Sequence, residues 1–318
     1  MKAAVIVNPR SAGGKTSRAW PRIAAALEKR LGPVEARFTE RPGHATSLAR
    51  ELLEQGFERV IAAGGDGTIN EVANGFLRDD EPVSPEAALG ILPLGTGGDF
   101  RRTLGISRRL SEAIEALAGA VPMRIDAGKA SFRGHDGSDQ TRYFINLLSF
   151  GMGGDVASRS RNILSPLGGR AAFLYASAVS LARYHRKQVC LALDGGQPLS
   201  LSIYNIAVGN GRFHGGGMQA CPTAVLDDGI LEVTVIDYMS ILQVLRDFPM
   251  LYSDNVYRHP KVRHLRARKL FAEAIDGGPV RIEVDGEPLG TLPLEITALP
   301  QRLPVLVPAT SPLLGPPR

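Results

Sequence analysis

The sequence predicts a two-part α/β fold: an amino-terminal domain on a parallel sheet, then a β-rich domain of antiparallel, sandwich-like character. Three observations predict it. Residues 1–122 alternate short apolar runs with amphipathic stretches, the order a parallel sheet flanked by helices requires. Two of those runs end in glycine-rich turns carrying an acid, Gly64-Gly65-Asp66-Gly67-Thr68 and Gly95-Thr96-Gly97-Gly98-Asp99. Turns of this kind share one cleft at the carboxyl edge of a sheet. After Pro122, strand follows strand with Gly and Asp turns between.

In order along the chain, residues 5–7 read as a strand and 16–31 as a helix with Ile23 and Leu27 on one face and Pro21 in its first turns. A second strand is expected over 34–38 and a helix over 45–55, with Leu48 and Leu52 on one side. The third strand, 60–63, runs into the first glycine turn. The helix after it, 68–77, places Ile69, Val72, Ala73, Phe76 and Leu77 at helical spacing. Residues 89–92 form the fourth strand and run into the second turn, then a short helix, with a further helix over 111–117. Strands are expected at 123–132, 143–150, 189–194, 201–208, 230–236, 270–274, 280–284 and 294–297, with the main helix of this half over 171–186. The boundaries fall at 1–122 for the nucleotide-binding part and 123–290 for the β-rich part. Residues 291–318 end in a Pro-rich, frayed tail.

Composition narrows the partners. The chain has 318 residues, 44% hydrophobic and 22% charged, which is globular and not disordered. A formal charge of +5 and a pI of about 9.3 favour an anionic partner: nucleotide, nucleic acid or acidic membrane. Nucleic acid is disfavoured, because the basic stretches lack interleaved aromatics and form no known binding module. Cys190 and Cys221 lie far apart and fit no metal or redox spacing, so a reducing cytoplasm is expected. The opening apolar run is too short for a signal peptide. The uncharged apolar stretch over residues 171–182 is too short to span a bilayer, so any membrane contact is expected to be peripheral.

The first glycine turn carries the most chemistry. Gly64 and Gly65 let the backbone turn sharply and approach a ligand, and the following helix offers unpaired N–H groups to an anion. Asp66 would repel phosphate unless a divalent cation sits between them or it takes a proton. Nucleotide phosphate, Mg²⁺ and proton transfer are therefore expected together; a plain βα turn with a capping Asp is the alternative. Asn8-Pro9-Arg10-Ser11-Ala12-Gly13-Gly14-Lys15-Thr16 is no P-loop, because the required earlier glycine falls at Pro9. Asp227-Asp228-Gly229 concentrates oxygen ligands suited to a hard divalent ion, or is an ordinary turn before a strand. Thr39 is a strand-end hydroxyl open to either role. His214, beside three glycines, reads as a surface loop residue. Arg258 to Lys269 holds six Lys/Arg in twelve residues, either a membrane-docking segment or a solvated strand edge.

Taken together, the two glycine blocks, Asn8-Pro9-Arg10 with Gly13-Gly14-Lys15, residues 209–233 and 284–287 resemble the diacylglycerol kinase catalytic domain family, which includes bacterial lipid kinases and sphingosine kinases. The motifs span most of the chain in the expected order. The resemblance implies ATP as phosphoryl donor, Mg²⁺, a lipid hydroxyl as acceptor at a membrane surface, and a return of residues 291–318 to pack on the first domain. Nucleotide contacts are implied for Asn8, Arg10, Gly13, Gly14, Lys15, Thr39, Gly64, Gly65, Asp66, Gly67, Thr68, Asn70, Glu71, Gly95, Thr96 and Asp99. A structural Mg²⁺ is implied at Asp228 with the carbonyls of Val225 and Ile230. In Val284-Asp285-Gly286-Glu287, Glu287 is the implied base and Asp285 its neighbour, while Asp66 organises the Mg²⁺–water network; some relatives assign the base to the position of Asp66 instead. The family usually carries Asn where this chain has Gly98. Asp155 matches a further family segment only loosely. An NAD kinase-like phosphotransferase and a catalytically inactive lipid- or nucleotide-binding regulator are the rivals. Which lipid is taken is not legible, and a homodimer is left open.

Overall fold

The computed structural model describes residues 2–161, 179–181 and 183–314. Most of the helix expected over 171–186, and the last four residues of the tail, lie outside the described residues. Contacts divide the chain into two units, residues 1–127 with 301–318, and residues 128–300. The change of pattern in the sequence falls at 122/123, and the resemblance puts a second boundary at 290/291. The partition instead falls inside two long strands, where no change of residue type announces it.

The first unit is a parallel sheet with helices. β1 (Ala3–Val7), β2 (Val34–Phe38), β3 (Arg59–Gly64) and β6 (Ala88–Pro93) lie in the order β6-β3-β1-β2. The end of the last strand, β16 (Glu287–Val307), pairs parallel with β6 at Val305 and Leu89. β1 and β3 are almost wholly buried, and their runs of Ala, Val and Ile suit a sheet covered on both faces. Between the strands run α1 (Lys15–Leu31), α2 (His44–Glu54) and α3 (Asp66–Phe76). A two-strand ribbon, β4 (Leu77–Arg78) with β5 (Glu81–Pro82), then α4 (Asp99–Leu104) and α5 (Leu110–Ala118) complete the unit. α1 buries only Thr16, Ile23 and Leu27, a narrow stripe, and tolerates Pro21. α3 is buried from Thr68 to Phe76, being packed against α2 as well as the sheet.

The second unit is antiparallel. It comprises β7 (Val121–Gly134, shared with the first unit), β8 (Asp139–Phe144), β9 (Leu147–Gly151), β10 (Lys187–Leu193), β11 (Leu199–Gly209), β12 (Leu231–Asp237), β13 (Val262–Ala267), β14 (Lys269–Ala274), β15 (Arg281–Val284) and the first part of β16. α6 (Met152–Arg161) and α7 (Ile241–Asp247) are its described helices. β11 pairs β10 through its first half; from Asn205 it pairs β9, with an irregularity between Ile203 and Asn205. A strand that changes partner at such a point joins the two layers of a sandwich. Phe144, Phe150, Val208, Val233, Ile282 and Ile296 fill the core between them.

Several expectations change. The strand expected over 143–150 is two strands, β8 and β9, broken at Ile145-Asn146, because the buried Asn146 is bonded to the loop after β11 instead of extending a ladder. Helices α6 and α7, and β13 inside the basic run, were not anticipated. The strand expected over 294–297 is part of the 21-residue β16, whose prolines make most of it look like loop.

Candidate active site

Four parallel strands end in register. Val7 pairs with Phe38 and with Ala63, and Ala63 pairs with Leu92. Residues just past those positions, Asn8, Thr39, Gly64 and Pro93, therefore form a row along the carboxyl edge, with strands about 4.8 Å apart. Hydrogen bonds lock the row: Asn8 N–H donates to Ala63 O at 3.0 Å, and Thr39 N–H to Val7 O at 2.9 Å. The order of the motifs in sequence becomes adjacency in space because crossover helices return each strand beside an earlier one.

Asn8 organises the first loop. Its Nδ2 donates to Thr68 Oγ1 at 2.9 Å, and its Oδ1 accepts from Arg10 N–H at 3.0 Å. Ser11 to Gly14 then turn through left-handed geometry at Ala12, Gly13 and Gly14, and α1 starts at Lys15. Arg10 and Lys15 are exposed at this edge. No side chain caps α1 or α3, so the first-turn amides of each remain available to an anion.

The two glycine turns are pressed together. Leu94 and Gly95 N–H both donate to Gly64 O, at 2.9 and 3.0 Å. A Cβ on Gly95 would lie 2.3 Å from Gly65 Cα, so only glycine permits the approach. Asp66, first residue of α3, reaches across. Its Oδ2 accepts from Gly98 N–H at 2.7 Å, and its Oδ1 from Asp99 and Phe100 N–H at 3.0 and 3.3 Å. Asp66 thus caps α4, whose own N-cap Gly98 offers no side chain. Burial pushes the Asp66 carboxyl above its ordinary value and the neighbouring Asp99 adds to this, while the three amides oppose it. Asp99 is itself held by Arg102, Nη1 to Oδ1 at 2.7 Å, and the same Nη1 reaches the carbonyls of Gly97 and Gly98.

Gly98 sits at φ 71°, ψ 46°. Glycine and asparagine are the residues that adopt this left-handed conformation most readily, so Gly for Asn keeps the backbone of the turn. Two expected nucleotide residues point elsewhere. Glu71 Oε2 accepts from Ala45 N–H at 3.1 Å, at the start of α2, and the buried Asn70 accepts from Asn74 Nδ2. They pin α3 to its neighbour and to itself.

In the second unit, Val284 pairs with Glu287 across the two-residue turn Asp285-Gly286, with φ 49° and 84°. Asp285 Oδ1 accepts from Leu147 N–H at 3.1 Å, tying the turn to β9. Glu287 Oε2 lies 3.5 Å from Arg142 Nη2 and is about half exposed. Sequence reading passed over Glu283. It is fully buried, accepts from Ser149 Oγ at 2.6 Å and from Gly286 N–H at 2.7 Å, and lies 3.3 Å from His214 Nε2. His214 is therefore a partner of a buried acid and not a free surface loop residue. A buried acid one strand position before an Asp-Gly turn was the available signal. Asp155 is ion-paired with Arg281 at 2.7 Å.

Asp228 Oδ1 accepts from Ile230 N–H at 3.0 Å, and its Oδ2 is held by Arg266. Arg266 Nε also reaches the buried Glu232 at 3.0 Å. Val225, expected to lend a carbonyl, is exposed in the same loop. Among the described residues no group of three or more His, Cys, Asp or Glu is placed to hold a metal. A divalent ion at Asp228 would have to displace Arg266 from that carboxylate.

Comparison with known proteins agrees with this architecture. Residues 2–130 match the diacylglycerol kinase catalytic domain, and residues 146–307 the YegS C-terminal NAD kinase beta sandwich-like domain. The chain is 33% identical over 304 residues to a Pseudomonas fluorescens protein named "Probable lipid kinase YegS-like", covering 92% of this chain and 93% of that one. It is 27% identical to a Staphylococcus carnosus protein named diacylglycerol kinase, covering 96% and 95%. Among solved structures, a Bacillus anthracis diacylglycerol kinase superposes with a TM-score of 0.70 at 24% identity, covering 97% of both chains. Yeast NADH kinase shares the fold more distantly, with a TM-score of 0.52 at 14% identity, covering 98% of this chain and 84% of that one.

Proposed function

The chain belongs to the diacylglycerol kinase catalytic domain family of lipid kinases, and on that premise we propose that it transfers the γ-phosphoryl group of ATP to the hydroxyl of diacylglycerol or a related lipid. One observation supports the donor side most. The row Asn8, Thr39, Gly64 and Pro93 aligns the uncapped starts of α1 and α3 beside Arg10 and Lys15. Amides and cations gathered at a carboxyl edge suit a polyphosphate. α4 is not part of that cradle, because Asp66 already neutralises its positive end. Mg²⁺ arriving with the nucleotide supplies charge neutralisation on the phosphates; phosphoryl transfer depends chiefly on that and on position.

Glu287 is the better candidate for the base that takes the lipid hydroxyl proton. Both Asp66 oxygens are occupied by backbone donors, so protonating Asp66 would loosen the second glycine turn. Glu287 lies beside the Asp285-Gly286 turn, which Glu283 and Asp285 hold, and its Oε2 is 3.5 Å from Arg142 Nη2. The docking is peripheral in this reading, since no described helix is long and apolar enough to cross a membrane.

Incubating the purified protein with γ-labelled ATP, Mg²⁺ and a panel of diacylglycerol, ceramide, sphingoid base, phosphatidylglycerol and NAD tests the reading. Label in a lipid supports it. Label in NAD alone would establish the phosphotransferase that the yeast NADH kinase fold suggests. No label in any acceptor, with nucleotide bound, would leave a regulator.

A further inference from the structure

Between β12 and β13 the chain makes a long excursion, residues 238–261, that ends where it began. Asp237 N–H donates to Lys261 O at 2.8 Å, so both ends sit at one edge of the sheet. Within it, Val244 is the one buried side chain of α7 and packs in a cluster with Tyr184 and Tyr204 among the described residues. The other apolar side chains face outward. Leu242 is 80% exposed, Leu245 58%, and Ile241, Phe248 and Tyr252 between 42 and 48%. Ile241 and Leu245 lie one turn apart on α7, and Phe248 and Tyr252 meet edge to face in the short 3-10 helix that follows, ring centroids 5.8 Å apart, which extends the exposed apolar stripe. A stripe of large apolar side chains turned to water is uncommon on a monomer and marks an interaction surface.

Cations gather around the stripe. Lys187 pairs with Ile203 and Ile203 with Asp237, which places Arg183, Arg186 and Lys187 at the same sheet edge as Lys261. Tyr184 shares one buried cluster with Val244 and Tyr204, which brings that group beside α7. The His259–Asp247 contact, 3.1 Å, folds Arg258 back to the end of α7. No ion pair engages Arg183, Arg186, Lys187, Arg258 or Lys261 among the described residues; Arg246 and Arg263 are paired with Asp247 and Asp237. Of the acids on the excursion, only Asp254 is exposed and unpaired among those residues. The basic run 258–269 is not one patch: Arg266 is turned to Asp228 and Glu232, and Arg268 and Lys269 lie past the far end of β13, about 17 Å away at about 3.3 Å per residue.

We propose that residues 238–261 dock this protein on an anionic bilayer, with Leu242, Leu245 and Phe248 seated among the acyl chains and Arg183, Arg186, Lys187, Arg258 and Lys261 on the headgroups. Apolar side chains flanked by unpaired cations match such a surface, and neither half alone holds a protein there firmly. The inference rests on the lipid-kinase reading, which puts the acceptor in a bilayer.

Sedimentation with phosphatidylcholine vesicles, with and without phosphatidylglycerol, tests it independently of turnover. L242S/L245S should bind phosphatidylglycerol vesicles at least about tenfold more weakly than the parent at low and at high salt, with unchanged thermal unfolding. R258Q/K261Q should weaken binding at low salt and match the parent at high salt, where screening removes the charge contribution. Phosphorylation of a short-chain, detergent-dispersed lipid should be unchanged in both. The proposal is overturned if L242S/L245S sediments like the parent, if the parent ignores phosphatidylglycerol, or if L242S/L245S merely converts a dimer to a monomer at equal vesicle affinity. Vesicle binding that behaves as stated, with no lipid phosphorylated in any form, would sink the kinase reading and leave the surface standing.

Discussion

Replacing Asp66 by alanine separates a loop clamp from a chemical base. The carboxylate accepts three N–H groups, those of Gly98, Asp99 and Phe100, and these are the first-turn donors of α4. Losing one capping acceptor costs about 1 kcal/mol and up to about 2. Amide bonds to a charged acceptor are worth about 1.5–3 kcal/mol each, but Asp66 is only half buried and water replaces part of the loss. Removing a carboxylate that burial makes costly to ionise works in the opposite direction. A net loss of about 2 kcal/mol follows, or about 4–8 °C in Tm for a unit of this size. The Michaelis constant for ATP should rise, since Gly95 to Asp99 would no longer be held against Gly64. The pH dependence has a fixed sign. A carboxyl raised in the folded state binds its proton more tightly there. The parent therefore gains stability over the variant as pH falls through the raised value toward the ordinary 3.8. Scanning calorimetry at two pH values with ATP titrations on both proteins decides it. A variant with unchanged Tm and unchanged ATP affinity, but turnover reduced a hundredfold or more (about the usual worth of a general base), would refute the clamp.

Glu287→Gln should lower kcat by about 10²–10⁴-fold at unchanged Tm, measured on the lipid that accepts label; retention of more than about half the rate removes Glu287 as base. Gly95→Ala should destabilise by about 1–3 kcal/mol, read as a lowered urea midpoint, because the new Cβ would stand 2.3 Å from Gly65 Cα and backbone cannot rotate away. If Mg²⁺ binds at Asp228, it competes with Arg266, so the Tm rise with Mg²⁺ should be larger in Arg266→Gln than in the parent and smallest in Asp228→Ala; equal rises in all three argue against a metal there. Burial pushes the Cys221 thiol up to about 12, so iodoacetamide at pH 8 should label Cys190 alone until the protein unfolds, and labelling of both native thiols would contradict that burial.

How much of this was legible depended on which force shaped each part. The βαβ alternation was readable because β1 and β3 are buried on both faces and α1 and α2 each bury one stripe. The glycine turns were readable because close backbone approach excludes other residues, as Gly65 against Gly95 shows. What escaped was set by pairing between distant segments. Asn146 breaks a strand because its partners, Phe213 and the amides of Asn210 and Gly211, lie more than sixty residues away. β16 absorbs its prolines because its partner changes along its length, from β15 to β14 to β6. α7 eluded the reading because its outward face is the apolar one, the reverse of the amphipathic pattern that marks a helix on a core. Glu283 and Glu287 are both glutamates within one short motif; only burial tells that the first holds Gly286 and His214.

The same distinction bears on where the proton goes. Asp66, Glu283 and Asp285 each accept backbone N–H groups that close a turn: Gly98 to Phe100, Gly286, and Leu147. A carboxylate in that position serves its turn as an acceptor of backbone N–H groups. Glu287 instead lies 3.5 Å from the guanidinium of Arg142. A glycine turn with an acid can therefore be a scaffold even inside a catalytic signature. If Glu287 is the base, Arg142 positions it, and Arg142→Gln should lower kcat at unchanged Tm; an unchanged kcat in that variant would remove Arg142 from the role.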